Sequence, residues 1–420
     1  MDRTEVCFLN SLRCALNAVP MTEEPGLSGE QWEQVFQLAR MHHVLPLVFE
    51  AVHRLPQLQG TPLLAAVRQQ VRKQVFLQTR KTADFLMLLQ KLYDADVHPL
   101  VVKGIVCRSL YPLPDHRTSS DEDLLVASGD LASCQRIFGE FGLVTTFSPE
   151  RQQASYEIPY RQPEGPLYIE LHKHLFPPES DSYGHLNRFF RDAPSRCVTL
   201  DVDGAKVFSL DHTDHLFYLI CHALKHFLHS GFGIRQVCDI VMYIRAHSSR
   251  IQWPRLLENC RQISAVDFTA AIVRIGINHL GLQPELCPPE LTADIDELPM
   301  LRDLLCAGIY GSSSESRQHS SSITLEAMAS SRQNRTARNS LMLSLFPPAN
   351  RLESRYPYLK DRPWLLPAAW ASRIGSYCRE SLLRSPASAG DSLKLGNERI
   401  ALLNYYGLLK EDSASLEALL

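Results

Sequence analysis

At 420 residues, with 45% hydrophobic and 21% charged residues, the chain is long enough for about two or three packed units and has the composition of an ordinary globular protein, which excludes a disordered or fibrous one. A formal net charge of -3 supplies no global electrostatic reason to bind nucleic acid, while leaving room for a local basic groove. The 11 cysteines are scattered singly, without a CxxC pair, and read as reduced thiols of a cytosolic protein; Arg3, Glu5, Asn10 and Arg13 interrupt the N-terminal apolar residues, so neither a signal-peptide core nor a membrane anchor is expected.

From Thr4 to about Tyr93 apolar residues recur at helical spacing, as in QWEQVFQLARMHHVLPLVFEAVHRL and VRQQVRKQVFLQTRKTADFLMLLQKLY, and predict several amphipathic helices. The texture changes at Val97. HPLVVKG is a short β-branched run closed by glycine, and IVCRSLY after it reads as one or two helical turns. LYPLPDHRTSS is rich in turn formers, DEDLLVA is strand-like, and residues 131–142 return to helical periodicity, stopping at Gly142. Two further strands are predicted at YEIPYR and PLYIELHKHLF, the second placing Glu170, His172 and His174 on one side. From VFSLDHTDHLFYLICHALKHFLHSGFGIRQVCDIVMYIRAH onward the pattern is helical, and GSSSESRQHSSS and Arg384 to Gly390 read as mobile loops. The division is thus helical at 1–95, α plus β at 96–210 and helical at 211–420, with the Ser-rich loop near 311–322.

The chemistry-bearing residues lie in the middle region. Asp121 and Asp123, two apart in a predicted strand, point both carboxylates to one side about 6 to 7 Å apart at Cα. Glu170 adds a third carboxylate from a neighbouring strand, and three hard oxygen ligands suit Mg²⁺ bound through a triphosphate. On its own a D-x-D pair is more often a solvated strand edge. Lys103-Gly104 precedes it after a strand, where a glycine lets backbone amides approach phosphate and a following helix aims its positive end there; a plain strand-to-helix turn is the alternative. Lys103 or Arg117 would balance phosphate charge.

Taken together, LVVKGIVCRSLYPLPDHRTSSDEDLLV followed by YIELHKHLF resembles the uncharacterised nucleotidyltransferase family of the DNA polymerase beta superfamily, in which a K-G turn, an R-x-x-S-D-x-D-L-L-V strand and a later E-L-H strand carry the site. The resemblance takes in the helical lead-in WEQVFQLARMHHVLPLVFE, the downstream HALKHFLHSGFGIRQVCDIVMYI and the late LFPPANRLESRYPYLKDRPWLLPAAWASRI. It implies an α+β fold with a polymerase beta-like core, a small mixed sheet with helices, flanked by N-terminal and C-terminal helical regions. Residue by residue it implies Asp121 and Asp123 as the metal pair, Glu170 as the third carboxylate, and Lys103, Gly104 and Ser120 on the nucleotide-phosphate side, with Arg117 matching the family's arginine. It extends to His222, Lys225, Arg235 and Asp239, where Lys225 and Arg235 suit triphosphate or acceptor binding. Two departures stand out: Glu122 occupies a strand position that is normally apolar and would point towards the core, and Gly104-Ile105 replaces the superfamily's more widespread G-S, removing a serine contact to the triphosphate.

Other residues have two readings each. His222 and His226, four apart on a helix with His229 nearby, could pair on a metal or simply line or pack beside the nucleotide cleft. His172 could hydrogen-bond a metal-binding carboxylate or be a satisfied, partly buried histidine. Trp364 and Trp370 read as packing anchors of the C-terminal segment. VRKQVFLQTRK could be a basic face for an acceptor, although charge on a helix exterior usually serves solvation. The expectation is an enzyme that uses Mg²⁺ or Mn²⁺ to move an NMP, for example AMP from ATP, from an NTP to a hydroxyl of a protein, small-molecule or nucleic-acid acceptor. The alternative is a catalytically inactive scaffold that binds a nucleotide or a partner.

Overall fold

The computed structural model describes residues 1–22, 25–229 and 231–307, and beyond them 321, 324–325, 327–329, 352, 356–359, 362–372 and 387–409. Four helices precede the first strand. α1 (Arg3–Leu16) and α2 (Gly29–Met41) each open on a reciprocal capping box, Asp2 with Glu5 and Ser28 with Gln31, which satisfies two otherwise orphaned amides at each start. α3 (Leu45–Val52) is buried on nearly every side, as its all-round apolar sequence requires. α4 (Pro62–Asp94) is capped by Thr61 with proline at its first position, and its 33 residues span about 50 Å. Phe85, Leu88, Leu89 and Leu92 bury its second half, each contributing roughly 1.5–3 kcal/mol, while the first half keeps a long polar face in solvent.

A six-stranded mixed sheet follows, built from β1 (Leu100–Val102), β2 (Glu122–Leu125), β3 (Glu157–Arg161), β4 (Tyr168–His172), β5 (Val198–Val202) and β6 (Ala205–Ser209), in the order β3-β4-β2-β1-β6-β5. The wholly buried β1 runs antiparallel to β2 and parallel to β6; β2 and β4 are parallel, and antiparallel hairpins close both edges. α5 (Gly104–Arg108), α6 (Leu131–Glu140) and α7 (Pro149–Ala154) lie between strands. Asp121 stands one residue before β2, so the two aspartates are not both strand residues. The β5–β6 hairpin is a further difference from the sequence reading, which named no strand between YIELH and the helices that begin at residue 211. Its turn, Asp203 at φ 51° and Gly204 at φ 79°, has the two positive φ angles of a type I′ turn, which matches the strands' twist.

After the sheet the described chain is helical: α8 (His212–His229), α9 (Ile234–His247), α10 (Trp253–Gln262), α11 (Val266–Leu280), α12 (Pro289–Thr292), α13 (Leu298–Ala307) and α14 (Ala387–Tyr405). One continuous cluster of buried apolar side chains runs from Cys7 to Leu409 and joins all three sequence regions. Two expectations are corrected here. The loop expected to reach Gly390 gives way to α14 at Ala387, where alanines at 387 and 389 favour the helix; the Ser-rich 311–322 stretch lies almost wholly outside the described residues. Trp364 is 72% exposed and so is no packing anchor, while Trp370 packs on a small cluster of described residues, Leu352, Leu359 and Ala369, separate from the main core.

Candidate active site

The parallel pairing of β2 with β4 sets Asp123 opposite Glu170 and Leu125 opposite His172. Because side chains alternate along a strand, Asp123, Glu170 and His172 emerge on the same face, and each offers a ligand atom within 4.8 Å of the others. Asp123 is 1% exposed. Its Oδ1 lies 3.0 Å from His172 Nε2, and its Oδ2 faces Lys103 Nζ at 3.0 Å as an ion pair. His172 Nε2 is also 3.6 Å from Glu170 Oε2, and its Nδ1 is 3.6 Å from Glu157 Oε2. Burial alone would raise the Asp123 carboxyl, but the Lys103 ammonium and the His172 hydrogen bond outweigh it and hold the group below the usual carboxylate range. For Glu170, burial followed by repulsion from Asp123 and Asp121 exceeds the His172 hydrogen bond and raises the carboxyl. Burial opposes the charge on His172, yet hydrogen bonds to Asp123 and Glu170 lift it to about 9.

The K-G turn is built differently from the phosphate cradle its sequence suggests. Lys103 holds φ 52°, uncommon for a residue with a side chain, and its N–H donates to His215 Nε2 at 3.1 Å. His215 is neutral in this arrangement: Nε2 accepts, Nδ1 faces Ser209 Oγ at 3.1 Å, and the serine hydroxyl donates to Val101 O at 2.7 Å. The next amide, Ile105 N–H, donates to Glu122 Oε2 at 2.7 Å. That helix start is thus closed by a carboxylate of the chain itself. Glu122, fully buried, points to the core as its strand position requires, and Arg108 pairs with it at 2.9 Å. A Cβ on Gly104 would lie 2.0 Å from Glu122 Oε2, so glycine is needed here to admit Glu122 as well as for φ +30°.

Facing the carboxylates is a wall from α8 and α9. Together they line a cavity of about 390 Å³ that includes Lys103, Gly104, Arg117, Ser120, Asp121, Asp123, Glu170, Lys225 and Arg235, the residues given a metal or nucleotide role in the sequence. Asp121 belongs to this lining but not to the tight Asp123–Glu170–His172 group. Arg117 lines the cavity with its guanidinium committed to Asp239, Nε to Oδ1 at 3.0 Å and NH2 to Oδ2 at 2.5 Å, and Tyr111 OH donates to the same carboxylate. Arg235 NH1 donates to Thr118 O at 2.7 Å, tying α9 to the loop before β2. Lys225 Nζ lies 5.9 Å from the Tyr156 ring centre; burial lowers its pKa against the pull of Glu157. His222 Nε2 sits 3.1 Å from Lys103 Nζ and 3.2 Å from His226 Nε2, and burial keeps both imidazoles neutral. His229 is directed elsewhere, to Tyr183 OH at 2.7 Å.

Glu157, Tyr168, Leu219 and Gln236 complete the lining and went unnoticed in the sequence. Glu157 has one retrievable signal, since a β3–β4 hairpin pairs it directly with His172. Lys81 had none: it is a buried lysine in mid-helix whose ammonium donates to Ser119 O and Ser120 O at 2.6 and 2.7 Å, fixing the loop that carries Arg117 and Ser120.

A family model described as uncharacterised nucleotidyltransferase matches residues 28–276, more than half of the chain. The chain belongs to this family. No curated protein and no solved structure matches it. The family span begins at the N-cap of α2 and ends inside α11, so it includes the entire sheet and both walls of the cavity. Membership in a nucleotidyltransferase family supports transferase chemistry with an NTP as substrate. Among the described residues, no helix is long and apolar enough to cross a membrane.

Proposed function

We propose that the chain transfers an NMP from an NTP to an acceptor hydroxyl with release of pyrophosphate, on a polymerase beta-like core. One observation carries the reading: carboxylates in register on adjacent strands, Asp123 and Glu170, share a cavity with the Lys225 and Arg235 wall. A nucleoside triphosphate with its divalent cation is the ligand whose charges alternate in that way. The donor set fits such a cation, because Asp123 Oδ2 is buried and meets only an ammonium as an ion pair, with no well-aligned hydrogen bond. Asp123, Glu170 and His172 as direct ligands suit Mn²⁺; with His172 hydrogen-bonded to Asp123 and Asp121 lending an oxygen, the set is all-oxygen and suits Mg²⁺.

When bound, the cation supplies charge neutralisation at the transferring phosphoryl group and lowers the barrier to deprotonating the acceptor hydroxyl. The chain's residues do the rest. Lys225 and Arg235 hold the triphosphate oxygens, Lys103 stands between carboxylates and phosphates, and the neutral pair His222 and His226 shapes the wall without adding charge. Glu157 orients His172 from its far nitrogen.

A second reading has specific support. The Ile105 amide is taken by Glu122, and Arg117 is paired through two of its nitrogens with Asp239, so one group expected to meet phosphate is satisfied and the other is partly committed within the chain. That favours a nucleotide-binding scaffold without turnover. The deciding experiment measures Mg²⁺- or Mn²⁺-dependent pyrophosphate release from each NTP, and transfer of α-labelled nucleotide to lysate components, beside Asp121→Ala/Asp123→Ala. Transfer lost in the double variant supports the enzyme; metal-dependent NTP binding without transfer selects the scaffold.

A further inference from the structure

A second concavity lies behind the loop that precedes β2. Arg117 and Ser120 face the nucleotide cavity, whereas Thr118 and Ser119 face a groove of about 730 Å³ on the other side. Four residues therefore form the partition between the two. α4 holds that partition from the groove side: Gln78 Oε1 accepts the Ser119 N–H at 2.9 Å and Lys81 binds the carbonyls of Ser119 and Ser120.

The helix that floors the groove is strongly one-signed. Between Glu50 and Asp84 the sequence has no acidic residue, yet it holds Arg54, Arg68, Arg72, Lys73, Arg80 and Lys81, in a chain whose net charge is -3. Arg68, Arg72, Phe76 and Arg80 follow one another at i, i+4 spacing and so form a single ridge about 18 Å long. Among the described residues Arg68, Arg72 and Lys73 have no ion-pair partner. Phe76, in the middle of the ridge, is 68% exposed, an unusual position for a large aromatic ring. Arg80, at the ridge's end, lines the groove beside Lys81, and Glu164 is the sole carboxylate among the groove's lining residues.

We propose that this ridge and groove seat a single-stranded nucleic acid, which is the acceptor class for the neighbouring site; the acceptor role, though not the binding, rests on the transferase reading above. Cations at regular intervals track a phosphate backbone, and an exposed ring between them is a stacking platform for a base. An acidic protein surface would use the cations but gain little from Phe76. The strand's end, laid across the partition, reaches the cavity's rim. In the transfer its terminal hydroxyl oxygen bonds to the α-phosphorus and the bond from that phosphorus to the bridging oxygen breaks. Pyrophosphate leaves with that bond's electron pair, and the hydroxyl proton passes to solvent.

The test is fluorescence anisotropy with the full chain, without nucleotide or divalent cation, using short labelled single strands of RNA and DNA, a duplex, and labelled poly-glutamate over a salt series. Single strands, of either sugar, bind more tightly than poly-glutamate. Phe76→Ala weakens them about tenfold. Arg68→Gln/Arg72→Gln/Arg80→Gln lowers the slope of log affinity against log salt by about 2, at about 0.7 per phosphate contact. Arg72, Phe76 and Arg80 are exposed and Arg68 is half-buried, and glutamine keeps the helix propensity, so unchanged circular dichroism certifies the fold. No single-strand binding at low salt overturns the proposal, as does poly-glutamate or duplex binding of equal strength that ignores Phe76→Ala. Absence of strand binding leaves the transferase reading standing, and absence of pyrophosphate release with strand binding intact removes that reading alone.

Discussion

Arg108 and Glu122 offer the sharpest test of how the K-G turn is held. Both side chains are almost wholly buried, and Glu122 is held by three donors: Arg108 NH1 at 2.9 Å, Ile105 N–H at 2.7 Å and Ser119 Oγ at 3.2 Å. Arg108→Met removes the carboxylate's ion-pair partner and leaves it with two neutral hydrogen-bond donors, which destabilises by about 3–5 kcal/mol. Glu122→Leu strands the guanidinium instead and falls in the same range. The double variant leaves no buried charge; its remaining defect is the orphaned Ile105 amide, about 1–3 kcal/mol. Independent effects would sum to roughly 6–10 kcal/mol, enough to unfold a protein of ordinary stability. Urea unfolding followed by circular dichroism reads all four corners of the cycle. A double variant as unstable as the sum, or an Arg108→Met loss below about 1 kcal/mol, would refute the reasoning.

Three further outcomes are expected. Asp123→Ala and Glu170→Ala each reduce Mn²⁺ affinity by at least about 100-fold in isothermal titration, since even loss of an outer-shell partner lowers metal affinity 10- to 100-fold; undiminished binding would place the cation elsewhere. Gly104→Ala lowers the melting temperature by more than a positive φ alone explains, because its Cβ would lie 2.0 Å from Glu122 Oε2, whereas Gly60→Ala, with open space at φ +73°, shows only the backbone effect of about 1 kcal/mol. Acid stability is set partly by His42, fully buried, with Ile234 N–H pointing at Nδ1 and Leu305 O near Nε2. Burial lowers its pKa to about 4 from 6.5, so the unfolded chain binds the proton first; the stability is complete above about pH 6.5 and is lost as pH falls towards 4, at up to about 1.4 kcal/mol per unit and roughly 3 in all. Urea midpoints that are flat across that window, or a His42→Gln slope equal to wild type, would count against it.

The strands and helices that position the site were legible because their signals are local. β-branched LVV closed by Lys103-Gly104, and the alternation in YIELH, predict β1 and β4 from periodicity alone. The same logic fails where the decisive partner is distant in sequence. Glu122 reads as a misfit in an apolar strand until Arg108, Ile105 and Ser119 are seen around it. Arg117 reads as a phosphate ligand until Asp239, 122 residues away, pairs with two of its three nitrogens. The β5–β6 hairpin was missed for another reason: its Asp203-Gly204 turn was present to be read, but the apolar run into α8 masked the change of period.

Lys103 is where the two walls of the cavity meet, and its substitution separates two properties that usually move together. Its ammonium lies 3.0 Å from Asp123 Oδ2 and 3.1 Å from His222 Nε2, and so would compete with a divalent ion for that carboxylate oxygen. A unit-charge pair near 4 Å is worth about 4 kcal/mol at an effective dielectric constant near 20, which makes the lysine a substantial competitor for that oxygen. An ion bound at that oxygen would displace the ammonium, which would then be left to add a positive charge for the triphosphate. Lys103→Met therefore binds Mn²⁺ alone more tightly than wild type, by about tenfold or more, and binds NTP with Mn²⁺ less tightly. Calorimetry of the metal alone and then of nucleotide at saturating metal reads the two effects separately. If both affinities fall, Lys103 supports the carboxylates rather than competing for them; if neither changes, its pairing with Asp123 does not control the site.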